Sequence, residues 1–160
     1  QEIRRTESEF STPQENHMQR TASAIWNGTL KDGKGSISSA SGTLTNAPYS
    51  FLTRFETGKG TNPEELIGAA HAGCFAMALS AQLSTMNFAP ESIKVTATVS
   101  LDKLDAGWTI DKIHLDLAAR IPGISQSAFE SAAASAKANC PVSRLFKADI
   151  TLTSVLEQAA

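Results

Sequence analysis

Two cysteines stand out in a chain of 160 residues, Cys74 and Cys140, and sulfur is its most reactive side-chain chemistry. Cys74 sits among apolar neighbours in a segment with helical character, where burial raises a thiol pKa and makes it inert. A reactive role therefore requires a nearby cation, and Arg54, Lys59, His71, Arg120 and Arg144 are the candidates. His71 precedes Cys74 by three residues and shares nearly the same helix face. It reads either as a base for the thiol or as a packed, hydrogen-bonded histidine. Arg54 lies between Thr53 and Phe55 and must either be paired or reach solvent. Cys140 precedes Pro141-Val142-Ser143, a helix start whose dipole lowers a thiol pKa, as suits a resolving thiol. The alternative is two packed structural thiols. Whether the two sulfurs meet is not legible from their spacing. His71, Cys74 and Cys140 supply three soft ligands, one short of a structural zinc site, so no metal is expected.

The elements that must hold these groups follow from pattern. Residues 22–54 read as a β-meander, with Asn27-Gly28 and Asp32-Gly33 as turn signals and Tyr49 to Phe55 as its last strand. Asn62, Pro63, Glu64 and Glu65 open a helix, with Glu65 in capping-box position, and the helix runs to about Asn87. It is apolar nearly all round, which predicts burial on most faces. Ile93, Val95, Ala97, Val99 and Leu101 alternate with polar residues, as do Ile113, Leu115, Leu117 and Ala119, so two long strands form a hairpin around Asp105-Ala106-Gly107. Ser127 and Glu130 read as a capping box for a helix to about Ala138, Pro141 opens a short helix to Phe146, and Asp149 to Leu156 alternates as a final strand. The fold class is α+β, antiparallel sheets packed around a long buried central helix.

Composition narrows the function classes. Net charge is −2, which argues against nucleic-acid binding. No run of about 18 apolar residues occurs, and the charged N-terminus lacks the apolar core of a signal peptide, so a soluble cytoplasmic protein is expected. In a reducing compartment no permanent disulfide is expected, so a functional pair would be a transient one. Residues 1–17 read as a leader or disordered tail, with Met18 as a start, and 18–160 as a single domain.

Three stretches together resemble the osmotically inducible protein C family: Thr53-Arg54-Phe55, Gly60 to Phe75 with its Ala70-His71-Ala72-Gly73-Cys74 segment, and Ala138-Asn139-Cys140-Pro141-Val142-Ser143. Val99 to Gly107 is similar to that subfamily rather than to the related organic hydroperoxide resistance proteins. The resemblance covers about residues 22–156. It implies a thiol peroxidase for organic hydroperoxides, with Cys74 as the attacking and Cys140 as the resolving cysteine. It also implies Arg54 as the residue that stabilises the thiolate and Glu64 as the residue that orients Arg54. Further implications are an intertwined homodimer with active sites at the subunit interface, no bound cofactor, and reduction by dihydrolipoamide or a lipoylated protein. A redox sensor using the same cysteine pair is the competing reading. Helix geometry adds one constraint: Glu64 and Cys74, ten residues apart, lie ~15 Å apart along one helix and about 80° apart around it. Either that helix breaks or Glu64 serves the Cys74 of another subunit.

Overall fold

A computed structural model describes residues 18–145. The order is β1 (Ala22–Asn27), β2 (Lys34–Ser39), β3 (Ala47–Ser50), α1 (Phe51–Phe55), α2 (Pro63–Thr85), β4 (Ser92–Leu104), β5 (Gly107–Arg120), α3 (Gln126–Asn139) and α4 (Pro141–Arg144). It is the expected α+β arrangement with antiparallel sheets. β1, β2 and β3 form one sheet in that order, and β4 pairs with β5. The strand expected over Asp149–Leu156 lies outside the described residues, as do residues 1–17.

The meander ends earlier than its residues suggest. Tyr49 to Phe55 was expected as one strand, but the strand stops at Ser50 and a helix begins at Phe51. The cause is local. The Ser50 hydroxyl accepts from the Thr53 backbone N–H at 3.3 Å, and the Thr53 hydroxyl accepts from the Ser50 N–H at 2.9 Å. This reciprocal cap satisfies donors that a helix start otherwise leaves orphaned, and it outweighs the strand preference of the aromatic residues. Pro48 is accommodated because β3 is an edge strand among the described residues. Gly60, at φ 142°, lets the following loop press on the Pro48 carbonyl, which accepts from the Thr61 N–H at 2.9 Å.

α2 starts where its residues require. The Asn62 side chain accepts from the Glu65 N–H at 2.8 Å, and its Nδ2 donates to the Thr53 carbonyl at 3.1 Å, tying α2 to α1. Glu65 does not complete the expected box; only the Asn62 half forms. By length and composition α2 could cross a membrane. Here one stripe of it, Gly68, His71, Phe75, Leu79 and Leu83, is buried against β4, α3 and α4, while Met77 is 77% exposed. Gly68 permits close approach to Ala97 and Val99 of β4. The β4–β5 register pairs Val95 with Leu117, Ala97 with Leu115 and Val99 with Ile113, as the alternation predicts, up to a bulge at Ser100/Leu101. α3 begins two residues earlier than expected. Ser125, not Ser127, caps it by accepting from the Ala128 N–H.

The core is compact and small-grained: Phe75, Leu79 and Leu83 of α2 meet Ala132, Ala136 and Cys140. Alanines on α3 bring the two helices close, and that approach carries Cys140 to α2. Leu83 is fully buried. Leu83→Ala is expected to cost about 2–5 kcal/mol, read as a lowered denaturant midpoint, because the surrounding helices cannot collapse into the vacated space.

Candidate functional site

Two constellations appear, one on sulfur and one on charge. Cys74 projects from the middle of α2, and Cys140 ends α3 and caps α4. Their Sγ atoms lie 2.9 Å apart with both thiols free, which answers the question their spacing left open. Cys140 has no exposed surface and Cys74 is half-buried.

Two thiols this close share their protons unequally. Burial pushes Cys140 up, but hydrogen bonds from the Cys74 thiol, from the Ser143 backbone and hydroxyl and from the Val142 backbone together bring its pKa below the usual thiol value. Cys74 is pushed above it, first by burial and then by its contact with Cys140. Within one chain these contacts favour ionisation of Cys140 over that of Cys74. No cation among the described residues contributes to the Cys74 environment.

The charged constellation is an ion pair. Arg54 on α1 grips Glu64 in the first turn of α2, with Nε donating to Oε1 at 3.1 Å and Nη2 donating to Oε1 at 2.7 Å. Glu64 is 8% exposed. The pair is thus a two-pronged, partly desolvated contact that holds the guanidinium plane rigidly. The Arg54 guanidinium also lies 5.4 Å from the centre of the Phe55 ring. Around it opens an apolar hollow of about 240 Å³, lined by Trp26, Leu30, Tyr49, Phe51 and Phe55. Trp108 closes a neighbouring hollow against Phe51 and Phe55.

α2 is unbroken from Pro63 to Thr85, so Glu64 and Cys74 stay at opposite ends of the ~15 Å interval. The chain brings Cys74 to Cys140 and Arg54 to Glu64, and it keeps the two pairs apart.

His71 makes no hydrogen bond to Cys74 among the described residues. Its Nε2 meets the Ser143 Oγ at 2.9 Å, and its Nδ1 is buried without a partner among the described residues. Ser143 went unrecognised as a site residue, although it lies in the Cys140-Pro141-Val142-Ser143 run; only the approach of α4 to α2 reveals the contact. No cluster of metal-ligating side chains occurs among the described residues.

The profile of the OsmC-like protein family matches residues 56–155. The chain is 57% identical over 129 residues to peroxiredoxin OsmC of Escherichia coli strain K12, covering 81% of this chain and 90% of that one. It is 36% identical over 97 residues to the organic hydroperoxide resistance protein OhrA of Bacillus subtilis strain 168, covering 59% and 66% of the two chains. The crystal structure of OhrB of Bacillus subtilis superposes with a TM-score of 0.59 at 25% identity, covering 79% of this chain and 90% of that one.

Burial holds the His71 pKa below its ordinary value of 6.5. The unfolded chain therefore takes up a proton near pH 6.5 that the folded chain refuses. The stability His71 contributes is complete above that pH and is lost as pH falls towards the folded-state value. Between about pH 7 and pH 5 the denaturant midpoint is expected to fall more steeply in the wild type than in His71→Asn.

Proposed function

This chain belongs to the OsmC-like protein family, and on that premise we propose that it is a thiol-dependent peroxidase that reduces organic hydroperoxides to alcohols. The observation that carries the reading is the 2.9 Å contact between two free thiols contributed by different helices. Inert structural thiols have no need to meet, and a pair poised at this distance can close a disulfide with little movement. The names of the relatives, a peroxiredoxin and an organic hydroperoxide resistance protein, point the same way.

In this mechanism the Cys74 thiolate attacks the distal oxygen of the peroxide. An S–O bond forms, the O–O bond breaks, and the alkoxide leaves as an alcohol after taking a proton. Cys74 is now a sulfenic acid. The Cys140 sulfur displaces its hydroxyl, which departs as water, and the disulfide is reduced by exchange with a dithiol such as dihydrolipoamide or a lipoylated protein in the cytoplasm.

The first step requires the charge on Cys74, whose pKa the isolated chain raises. Arg54 is the cation for this task, held by Glu64, but it stands a helix interval away in its own chain. The reading is therefore a homodimer in which the Arg54–Glu64 pair of one subunit faces the Cys74 of the other. Two further features favour it. Met77, close to Cys74 on α2, is largely exposed. The hollow around Arg54 is apolar and open, fit for the alkyl group of a peroxide. Phe75 belongs to the core rather than to this hollow; Phe51 and Phe55 line it.

Purified protein with dihydrolipoamide is expected to consume cumene hydroperoxide continuously, and Cys74→Ser to consume none. Cys140→Ser is expected to react with one equivalent and then stall or over-oxidise, seen by mass spectrometry. Absence of even one equivalent of consumption by the reduced wild type overturns the peroxidase reading. Unfolding and refolding Cys74→Ser together with Arg54→Ala, each inactive alone, is expected to restore about a quarter of the sites, because mixed dimers contain one complete site. Sites built within one chain would show no rescue.

A further inference from the structure

The large aromatic side chains are unevenly placed. The chain has two tryptophans and one tyrosine, and all three line the two hollows beside Arg54, Trp26 and Tyr49 on one side and Trp108 on the other. The hollows share Leu30, Phe51, Arg54 and Phe55 as a common wall. The hollow on the Trp108 side has a volume of about 440 Å³, within the range of about 300–1,000 Å³ in which small molecules bind. We propose that Trp108 is a specificity-determining residue, which seats an aromatic substituent of the hydroperoxide beside Arg54. The inference rests on the peroxidase reading for the reacting group, but the hollow and its rings exist independently of it.

Strict alternation along β5 turns Trp108 away from this wall. Ile113, Leu115 and Leu117 share one face of the strand, and Leu115 and Leu117 pack on the core. A period of two continues that face to Asp111 and Thr109 and leaves Trp108 on the other. The bulge reverses this. Ser100 pairs with Lys112, but Leu101 pairs with Ile110 and Lys103 with Trp108, so Asp111 has no partner on β4. One extra residue shifts every later side chain to the opposite face, which puts Ile110 and Trp108 on the face of Ile113. The contacts follow. The Trp108 ring centre lies 5.2 Å from that of Phe55, and the Phe55 centre 4.9 Å from that of Phe51.

This wall suits a ring better than a chain. Its neighbouring planes are inclined by 41° and 47°, between stacked and edge-to-face, so ring faces and ring edges are both on offer to a further aromatic group. A phenyl substituent has no internal rotors to freeze, whereas a linear alkyl chain gives up rotamer freedom at each bond. Trp108 is 57% exposed, so much of its indole is still free for a ligand to cover. Arg54 forms part of the same wall, and its guanidinium receives the polar O–O end while the ring rests against Trp108.

Two measurements on the full-length protein test this. Cumene hydroperoxide and tert-butyl hydroperoxide differ only by a phenyl in place of a methyl on the same tertiary carbon, so the ratio of their rates isolates the substituent. Each is mixed in excess with pre-reduced protein, and the second-order rate of thiol loss is followed. Wild type is expected to favour cumene hydroperoxide. Trp108→Ala is expected to lower the cumene-to-tert-butyl ratio about tenfold, and Trp108→Phe to keep it within about threefold of wild type. Trp108→Leu, apolar but without a ring, is expected to fall with alanine and carries the test where alanine prevents folding. An unchanged ratio overturns the inference, and so does equal slowing of both substrates, which marks a structural role. The second measurement needs no peroxide: in Cys74→Ser protein, saturation-transfer NMR reads the binding of cumyl alcohol, the product of cumene hydroperoxide. Binding is expected, weakened about tenfold when Trp108→Ala is added. Binding indifferent to Trp108 overturns the seat, whereas Trp108-dependent binding in a protein that consumes neither peroxide supports the seat and counts against the peroxidase reading alone.

Discussion

The approach of α3 to α2 is the contact on which the site depends. Ala132 and Ala136 present almost no side chain, so the α3 backbone settles close to Phe75, Leu79 and Leu83. Cys140 ends that helix with its surface wholly covered, and its sulfur arrives at Cys74 because the core places it there. The cysteine pair is thus a continuation of the hydrophobic core. A thiol in such a place resists ionisation, and its reactivity must be supplied by specific donors rather than by solvent.

The donors are unevenly distributed. Cys140 receives the Val142 and Ser143 amides and the Ser143 hydroxyl at the start of α4, while Cys74 has only its partner thiol and the Val142 amide. This asymmetry lowers the Cys140 pKa and raises that of Cys74 in a single chain. Arg54 is firmly held: Glu64 anchors it from a buried position, the Phe55 ring lies beside it, and apolar walls surround it. An arginine so fixed loses little entropy when it engages a thiolate or peroxide oxygen.

The distance between the two constellations is imposed by α2. An unbroken helix is a ruler of about 1.5 Å per residue, and it carries Glu64 and Cys74 without letting them meet. Asn62 fixes one end of the ruler to α1, and the core fixes its middle against α3. One chain therefore holds the two constellations apart.

Much of this was legible in the residues themselves. The N-terminus of α2, the β4–β5 hairpin with its register, and the two cysteine segments follow from capping chemistry, period-two alternation and motif, all of which act over a few residues. Glu64 and Cys74 could be placed apart from helix geometry alone. Other features were decided by tertiary structure. Whether Tyr49–Phe55 is strand or helix turned on the Ser50–Thr53 cap, which competes with an equally plausible alternation. The Cys74–Cys140 contact spans 66 residues and the His71–Ser143 contact 72, and no local pattern encodes such pairings. They exist because burial of Leu79, Leu83 and the α3 alanines draws distant segments together, so the chemistry of these sulfurs is written by packing rather than by spacing.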